Sequence, residues 1–303
     1  MESFYGILDG NVAVVEMAAA AGLPLVNDRP NPMETTTYGV GELIVAALKQ
    51  GCKKIIVGLG GSSTNDGGCG AACAIGVRFY DAFGESFVPT GKSLIDIARI
   101  DISGVDSLLD GVEIITMCDI DNPMYGLKGA AHIFSPQKGA DNEMVLKLDE
   151  GLQHLSNIIK EQLKLDVSTI PGGGAAGAMG AGMVAFFNSR LQMGIETILD
   201  LVEFDHLIED ADLIFTGEGK IDSQSLQGKV PIGVAKRAKK AGVDVIAVVG
   251  TIGSDIDAAY QLGITAIFSI NPEPVPFEVA KLKSEGNLTL TMDNILRLLK
   301  RKS

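Results

Sequence analysis

The chain has 303 residues, 46% hydrophobic and 21% charged, a globular composition with enough length for two cores. A formal charge of −13, 5% aromatic residues and no Trp exclude a base-stacking nucleic-acid surface, which needs a basic footprint. No apolar run is long enough to span a bilayer, Met1-Glu2-Ser3-Phe4-Tyr5 lacks a basic leader stretch, and Cys52, Cys69, Cys73 and Cys118 form no C-x-x-C pair, so a cytoplasmic, reducing compartment is expected.

In chain order, residues 12–16 predict a strand and 17–21 a short helix ending at Gly22. Residues 35–51 predict a helix with threonine hydroxyls at its N-cap and Gly51 at its end. A buried strand at 54–59 runs into Gly60-Gly-Ser-Ser-Thr-Asn-Asp-Gly-Gly68, followed by a helix at 71–76. A strand at 112–118 and an amphipathic helix at 143–164 come next. The tail alternates strand 212–216, helix 230–241, strand 243–250, helix 256–262 and strand 266–270, and ends in two helices, 278–284 and 293–299. That alternation predicts an α/β fold with parallel sheet and crossover helices. The change of character after Asp205 divides the chain into 1–203, a mixed α/β domain, and 204–303.

Two runs carry the chemistry. Gly60 to Gly68 lies past a strand, where ligands of open α/β sheets bind. Its glycines free the backbone to turn and present N–H groups, Ser62, Ser63 and Thr64 add hydroxyl donors, and Asp66 is a candidate to hold Mg²⁺ or accept a proton. The competing reading is a turn in which Ser and Asp cap the next helix. No Gly-Lys-Ser/Thr follows, so it is not a Walker loop. The second run, Thr216-Gly-Glu-Gly-Lys-Ile-Asp-Ser-Gln-Ser225 with Gly228-Lys229, is read as a loop beyond a strand. It gathers Glu218, Asp222, Lys220 and Lys229, the cations and carboxylates that phosphoryl transfer needs. Its competing reading is a solvated loop with ion pairs.

Weaker signals are Asp119 and Asn122 after the strand at 112–118, Lys138 in Phe134-Ser-Pro-Gln-Lys-Gly139, and the glycine-rich stretch 171–182. That stretch suits a phosphate cradle or close helix packing equally. His132, His154 and His206 share no ligand spacing, no nucleophile elbow is present, and no G-x-G-x-x-G with a following acid supports a dehydrogenase.

The runs AAAAGLPL (18–25), TTYGVGE (36–42), GGSSTNDGG, Cys118 to Pro123, PQKGA (136–140), Pro171 to Gly182 and TGEGKIDSQSLQGKVPIGVA (216–235) resemble, in order and over nearly the whole chain, the bacterial glycerate kinase family, the one unrelated to the animal enzyme. The resemblance implies a Rossmann-like domain, here 204–303 and incomplete, with the mixed domain inserted into it and the active site between them. It implies ATP and Mg²⁺ as cosubstrates, D-glycerate as acceptor and 2-phosphoglycerate as product. The expected catalytic set is Asp66, Glu218, Asp222 and Lys229, with Glu218 and Asp222 on the metal. The expected substrate and phosphate contacts are Gly60, Gly61, Ser62, Ser63, Thr64, Asn65, Asp119, Asn122, Lys220 and Ser223. The family's opening strand with its Asp-Ser-Phe-Lys turn and its Ala-Asp-Gly-Gly-Glu-Gly run are not found. A missing N-terminal segment is therefore expected, and with it an alternative: a catalytically impaired protein that still binds glycerate or nucleotide. A second copy of the chain or a separate N-terminal fragment would be the macromolecular partner; nucleic acid and membrane are not expected.

Overall fold

A computed structural model describes residues 2–26, 28–223 and 225–300. The chain forms two compact units, Met1–Gly194 and Ile195–Ser303. This division falls ahead of the one drawn near Phe204: Leu199 is buried in the core of the second unit.

The first unit is built on a five-stranded sheet of β1 (Gly6–Leu8), β2 (Val12–Glu16), β3 (Lys54–Gly58), β7 (Glu113–Met117) and β8 (Arg190–Gln192), in the order β1-β2-β3-β7-β8. Strands β2, β3, β7 and β8 are parallel and β1 is antiparallel to β2. The register sets Val14 against Ile56 and Ile55 against Ile114, so β-branched rows cross the sheet. Ile55, Ile56 and Val57 are fully buried, as expected of a parallel strand covered on both faces. A small antiparallel sheet of β4 (Arg78–Tyr80), β5 (Ser86–Phe87) and β6 (Arg99–Asp101), unforeseen in the sequence, lies in the same unit.

The helix Asn142–Leu163 is capped by Asp141, whose carboxylate accepts from Met144 N at 2.8 Å. It buries Val145, Leu148, Leu152, Leu155 and Ile159, an i, i+3, i+4 stripe. The helix predicted at 35–51 spans Tyr38–Lys49 and has no hydroxyl cap, because Thr37 is engaged elsewhere. Gly41 lets that helix approach Cys69–Ala74: a Cβ there would stand 2.4 Å from Ala71 O.

The second unit carries a parallel sheet in the order β11-β10-β9, comprising β9 (Leu213–Ile221), β10 (Asp244–Ile252) and β11 (Ala266–Ser269). Helix Val230–Ala241 ends at left-handed Gly242 and packs Ile232, Ala235 and Ala238 into the core with Val245 and Ala247. Two expectations are corrected here. Strand β9 continues through Thr216 to Ile221, paired with β10 to Ile252, so TGEGKI is strand rather than loop. The last two helices are one, Phe277–Leu299. A single Gly286 costs a helix only about 1 kcal/mol, and the packing of Met292, Ile295 and Leu299 against β10 and β11 residues offsets it. Among the described residues no helix is long and apolar enough to cross a membrane.

Candidate active site

Each unit holds a cleft at the carboxyl ends of its parallel strands. In the first unit a cleft of about 440 Å³ is lined by Leu59, Gly60, Gly61 and Ser62 after β3, by Met117 to Ile120 at the end of β7, by Phe134, Gln137 and Lys138, and by Ala175 and Ala176. The loop after β3 is held to its surroundings by Ser63, whose N and Oγ both donate to Ala21 O at 2.9 Å and whose carbonyl accepts from Thr35 Oγ1.

Beneath this wall Asp66 is fully buried. Its carboxylate accepts from Thr37 N at 2.7 Å, Thr37 Oγ1 at 2.9 Å, Gly68 N at 3.1 Å and Gly70 N at 3.2 Å. Burial raises its proton affinity above the usual carboxylate range, and those four hydrogen bonds oppose the rise. Asp66 is not among the residues lining the cleft. Its bonds to Gly68 and Gly70 tie the start of helix Cys69–Ala74, the capping alternative that the sequence left open.

Lys138 is the group that sequence reasoning undervalued. It is 1% exposed, and its ammonium donates to Ser62 Oγ at 2.6 Å and to Thr64 O at 2.7 Å. Burial lowers its pKa to about 7, against the pull of Asp66. A lone Lys in a polar-looking Ser-Pro-Gln-Lys-Gly turn reads as exposed; only the apolar helix Ala130–Phe134 just before it hinted at burial.

Thr64 and Asn65 are fully buried, and among the described residues Thr64 Oγ1 and both side-chain polar atoms of Asn65 have no hydrogen-bond partner. The stretch 171–182 packs: a Cβ at Gly177 would lie 2.0 Å from Thr64 O, and one at Gly182 would lie 2.2 Å from Gly67 O. Three successive residues, Ala176, Gly177 and Ala178, have positive φ, which turns the chain into that contact. Asp119 lines the cleft and accepts from Gly194 N at 2.7 Å, whereas Asn122 donates to Lys128 O at 2.8 Å and braces its own loop.

The second unit holds a cleft of about 700 Å³ along Phe215 to Gly219 of β9, Val248 to Thr251 of β10, Ile270 and Asn271, walled by Phe277, Lys281, Ser284, Leu288 and Met292 of the last helix. Glu218 lines it and pairs with Lys229 Nζ at 3.6 Å. Lys220 pairs with Asp222 at 2.9 Å. The two carboxylates meet at buried Ser225, whose Oγ donates to Glu218 at 3.4 Å and whose N–H donates to Asp222 Oδ1 at 3.3 Å. Ser223 is exposed. The structure thus groups Gly60, Gly61, Ser62 and Asp119 in one cleft, and Glu218, Lys220, Asp222 and Lys229 in one cluster at the other. Ser63, Thr64, Asn65 and Asp66 lie inside the supporting wall. Among the described residues no three His, Cys, Asp or Glu converge as a metal cage.

The sequence model described as "Glycerate kinase family" matches residues 1–300. A glycerate kinase of Bacillus cereus is 48% identical over 297 residues, covering 97% of this chain and 78% of that protein. The glycerate 2-kinase of Escherichia coli is 47% identical over 263 residues, covering 86% and 69% respectively. A crystal structure assigned to glycerate kinase 2 of Salmonella typhimurium LT2 superposes with a TM-score of 0.84 at 42% identity, covering all of this chain and 79% of that one. The family model matches this chain from residue 1 to residue 300, and each of these relatives extends beyond the part matched. Clefts at strand ends, a cation–carboxylate cluster fit for phosphoryl chemistry and likeness along almost every residue converge: the chain belongs to the glycerate kinase family and is a kinase.

Proposed function

We propose that this kinase transfers the terminal phosphoryl group of ATP to the 2-hydroxyl of D-glycerate, giving 2-phosphoglycerate and ADP. The observation that carries this reading is the cluster at the second cleft, where Lys229 meets Glu218, Lys220 meets Asp222, and both carboxylates meet Ser225. Phosphoryl transfer is catalysed by positioning and charge stabilisation, which these groups supply. The larger cleft has apolar walls for a base, and Gly217, Gly219 and Gly250 let a polyphosphate approach the backbone. The smaller cleft fits the three-carbon acid, with Gly60, Gly61, Ser62 and Asp119 available for its oxygens. The 2-position follows the name of the Escherichia coli relative.

Mg²⁺ suits the donor set. Glu218 and Asp222 are hard oxygen ligands brought together at Ser225, and Mg²⁺ needs only one or two carboxylates beside phosphate oxygens and water. When bound it would neutralise charge on the phosphates; Lys220 and Lys229 stand ready to steady the transferring oxygens. Asp66 organises the loop rather than touching substrate.

ADP release measured with D-glycerate, ATP and Mg²⁺, with ³¹P NMR of the product, tests the reading. Glycerate-dependent ADP release, abolished by a chelator, and a 2-phosphate resonance are expected. Absence of turnover, or a 3-phosphate product, would overturn it.

A further inference from the structure

A buried ammonium is costly unless it meets an anion or a full set of acceptors. Lys138 lies in the wall of the smaller cleft at 1% exposure. Ser62 Oγ and Thr64 O take two of its three N–H bonds. Among the described residues it forms no ion pair, and Asp66, whose charge opposes the effect of burial on it, has its carboxylate already shared among Thr37, Gly68 and Gly70. Among the described residues the amine of Lys138 thus has one position without a partner and no counter-charge in contact.

We propose that Lys138 binds the carboxylate of the hydroxy acid and is the group by which the enzyme tells the acid from an uncharged polyol. This rests on the kinase reading above and names a residue within it. A single cation matches a single carboxylate, whereas a triphosphate, with about four negative charges, requires several cations and a metal. Asp119, the acid on the same wall, is turned to Gly194 N through Oδ1.

The proton balance of this site supports the assignment. Lys138 titrates at about 7 because it is buried. The groups around it are Asp66, in the loop after β3, and Cys118 and Asp119, after β7; the Cys118 thiol is itself pushed up by burial. An arriving carboxylate restores the ammonium, so above about pH 7 glycerate binding takes up a proton.

The test uses the whole chain, with Lys138→Met and Lys138→Arg variants, steady-state kinetics and thermal shifts with each substrate. In Lys138→Met the KM for D-glycerate is expected to rise about tenfold to a hundredfold, the worth of one charge-assisted hydrogen bond, with the KM for ATP changed less than about twofold. Its thermal shift with glycerate is lost and that with ATP is kept, and Lys138→Arg recovers part of the affinity. In the unmodified protein, glycerate affinity falls about fivefold between pH 7 and 8, with calorimetric proton uptake in paired buffers. An unchanged KM for glycerate, or a rise confined to ATP, in a folded Lys138→Met overturns the proposal. If that variant does not fold, a glycerate affinity flat from about pH 6 to 9 overturns it. Failure of the unmodified enzyme to turn over glycerate would instead refute the kinase reading itself.

Discussion

Gly177→Ala probes how the glycine-rich helix supports the smaller cleft. Gly177 has φ +67°, a conformation that costs an L-residue about 1–2 kcal/mol. The added methyl would stand 2.0 Å from Thr64 O and 2.5 Å from Asn65 Cα, both backbone atoms that cannot rotate away. Overpacking of this kind costs about 1–3 kcal/mol, giving a total loss of about 2–5 kcal/mol. The loop that must yield is anchored to the same helix by Gly67 N donating to Gly177 O at 3.0 Å, and Thr64 O is one of the two acceptors of Lys138. Urea unfolding followed by far-ultraviolet circular dichroism gives the stability, and the KM for glycerate reports the cleft; both should worsen. Gly60→Ala is the control for stability, since nothing lies within 4 Å of a Cβ there and its φ is ordinary. A Gly177→Ala protein within about 0.5 kcal/mol of the unmodified chain, with an unchanged KM, would refute the packing argument.

Asp66→Asn replaces one oxygen by a donor that faces other donors, and is expected to lose about 2–4 kcal/mol of stability in urea titrations while kcat of the folded fraction holds; a lowered kcat with unchanged stability would return Asp66 to the reaction. For Lys138 the unfolded chain, with a pKa near 10.5, binds more protons than the folded one, with a pKa of about 7. Stability therefore rises with pH across that window on account of this group, and the rise is missing from Lys138→Met in pH-resolved unfolding. Arg237 reaches Glu196, Asp200 and Asp205 from helix Val230–Ala241, so Arg237→Lys, which cannot fork, is expected to lower stability by about 1–3 kcal/mol in thermal or urea melts. Glu218→Gln and Asp222→Asn are each expected to lower kcat at least about a hundredfold with little change in glycerate KM, read in the ADP-release assay.

The elements with strong local signals were legible in the sequence. Val12–Glu16, Lys54–Gly58, Val230–Ala241 and Ala266–Ser269 follow from β-branched runs and amphipathic spacing, and their ends from Gly. What escaped depends on partners distant in sequence. Thr216 to Ile221 reads as a polar, glycine-rich loop, yet β10 supplies hydrogen bonds that hold it as strand. The stretch 285–292 was read as a gap between two helices, yet packing at Ile295 carries one helix through. The short strands β4, β5 and β6 have too few residues for a pattern. In the site, the loop after β3 was legible as a turn at a strand end, but not which of its residues face the cleft: Ser62 lines it, while Ser63 and Asp66 face inward. Burial of Lys138 arises against Ser62 and Thr64, 76 and 74 residues away in the sequence, which no local window registers.

Strand β9, nine residues long, is paired with β10 along one side, and among the described residues no strand lies on its other side. A flank of that length is a template for cross-β association between molecules in concentrated solution. Two features of its composition work against such stacking: Gly217 and Gly219 weaken any added ladder, and Lys220, 59% exposed, places charge where a neighbouring chain would dock. The glycines and the lysine of this strand therefore disfavour edge-to-edge pairing, and replacing Lys220 or either glycine is expected to promote association in concentrated solution.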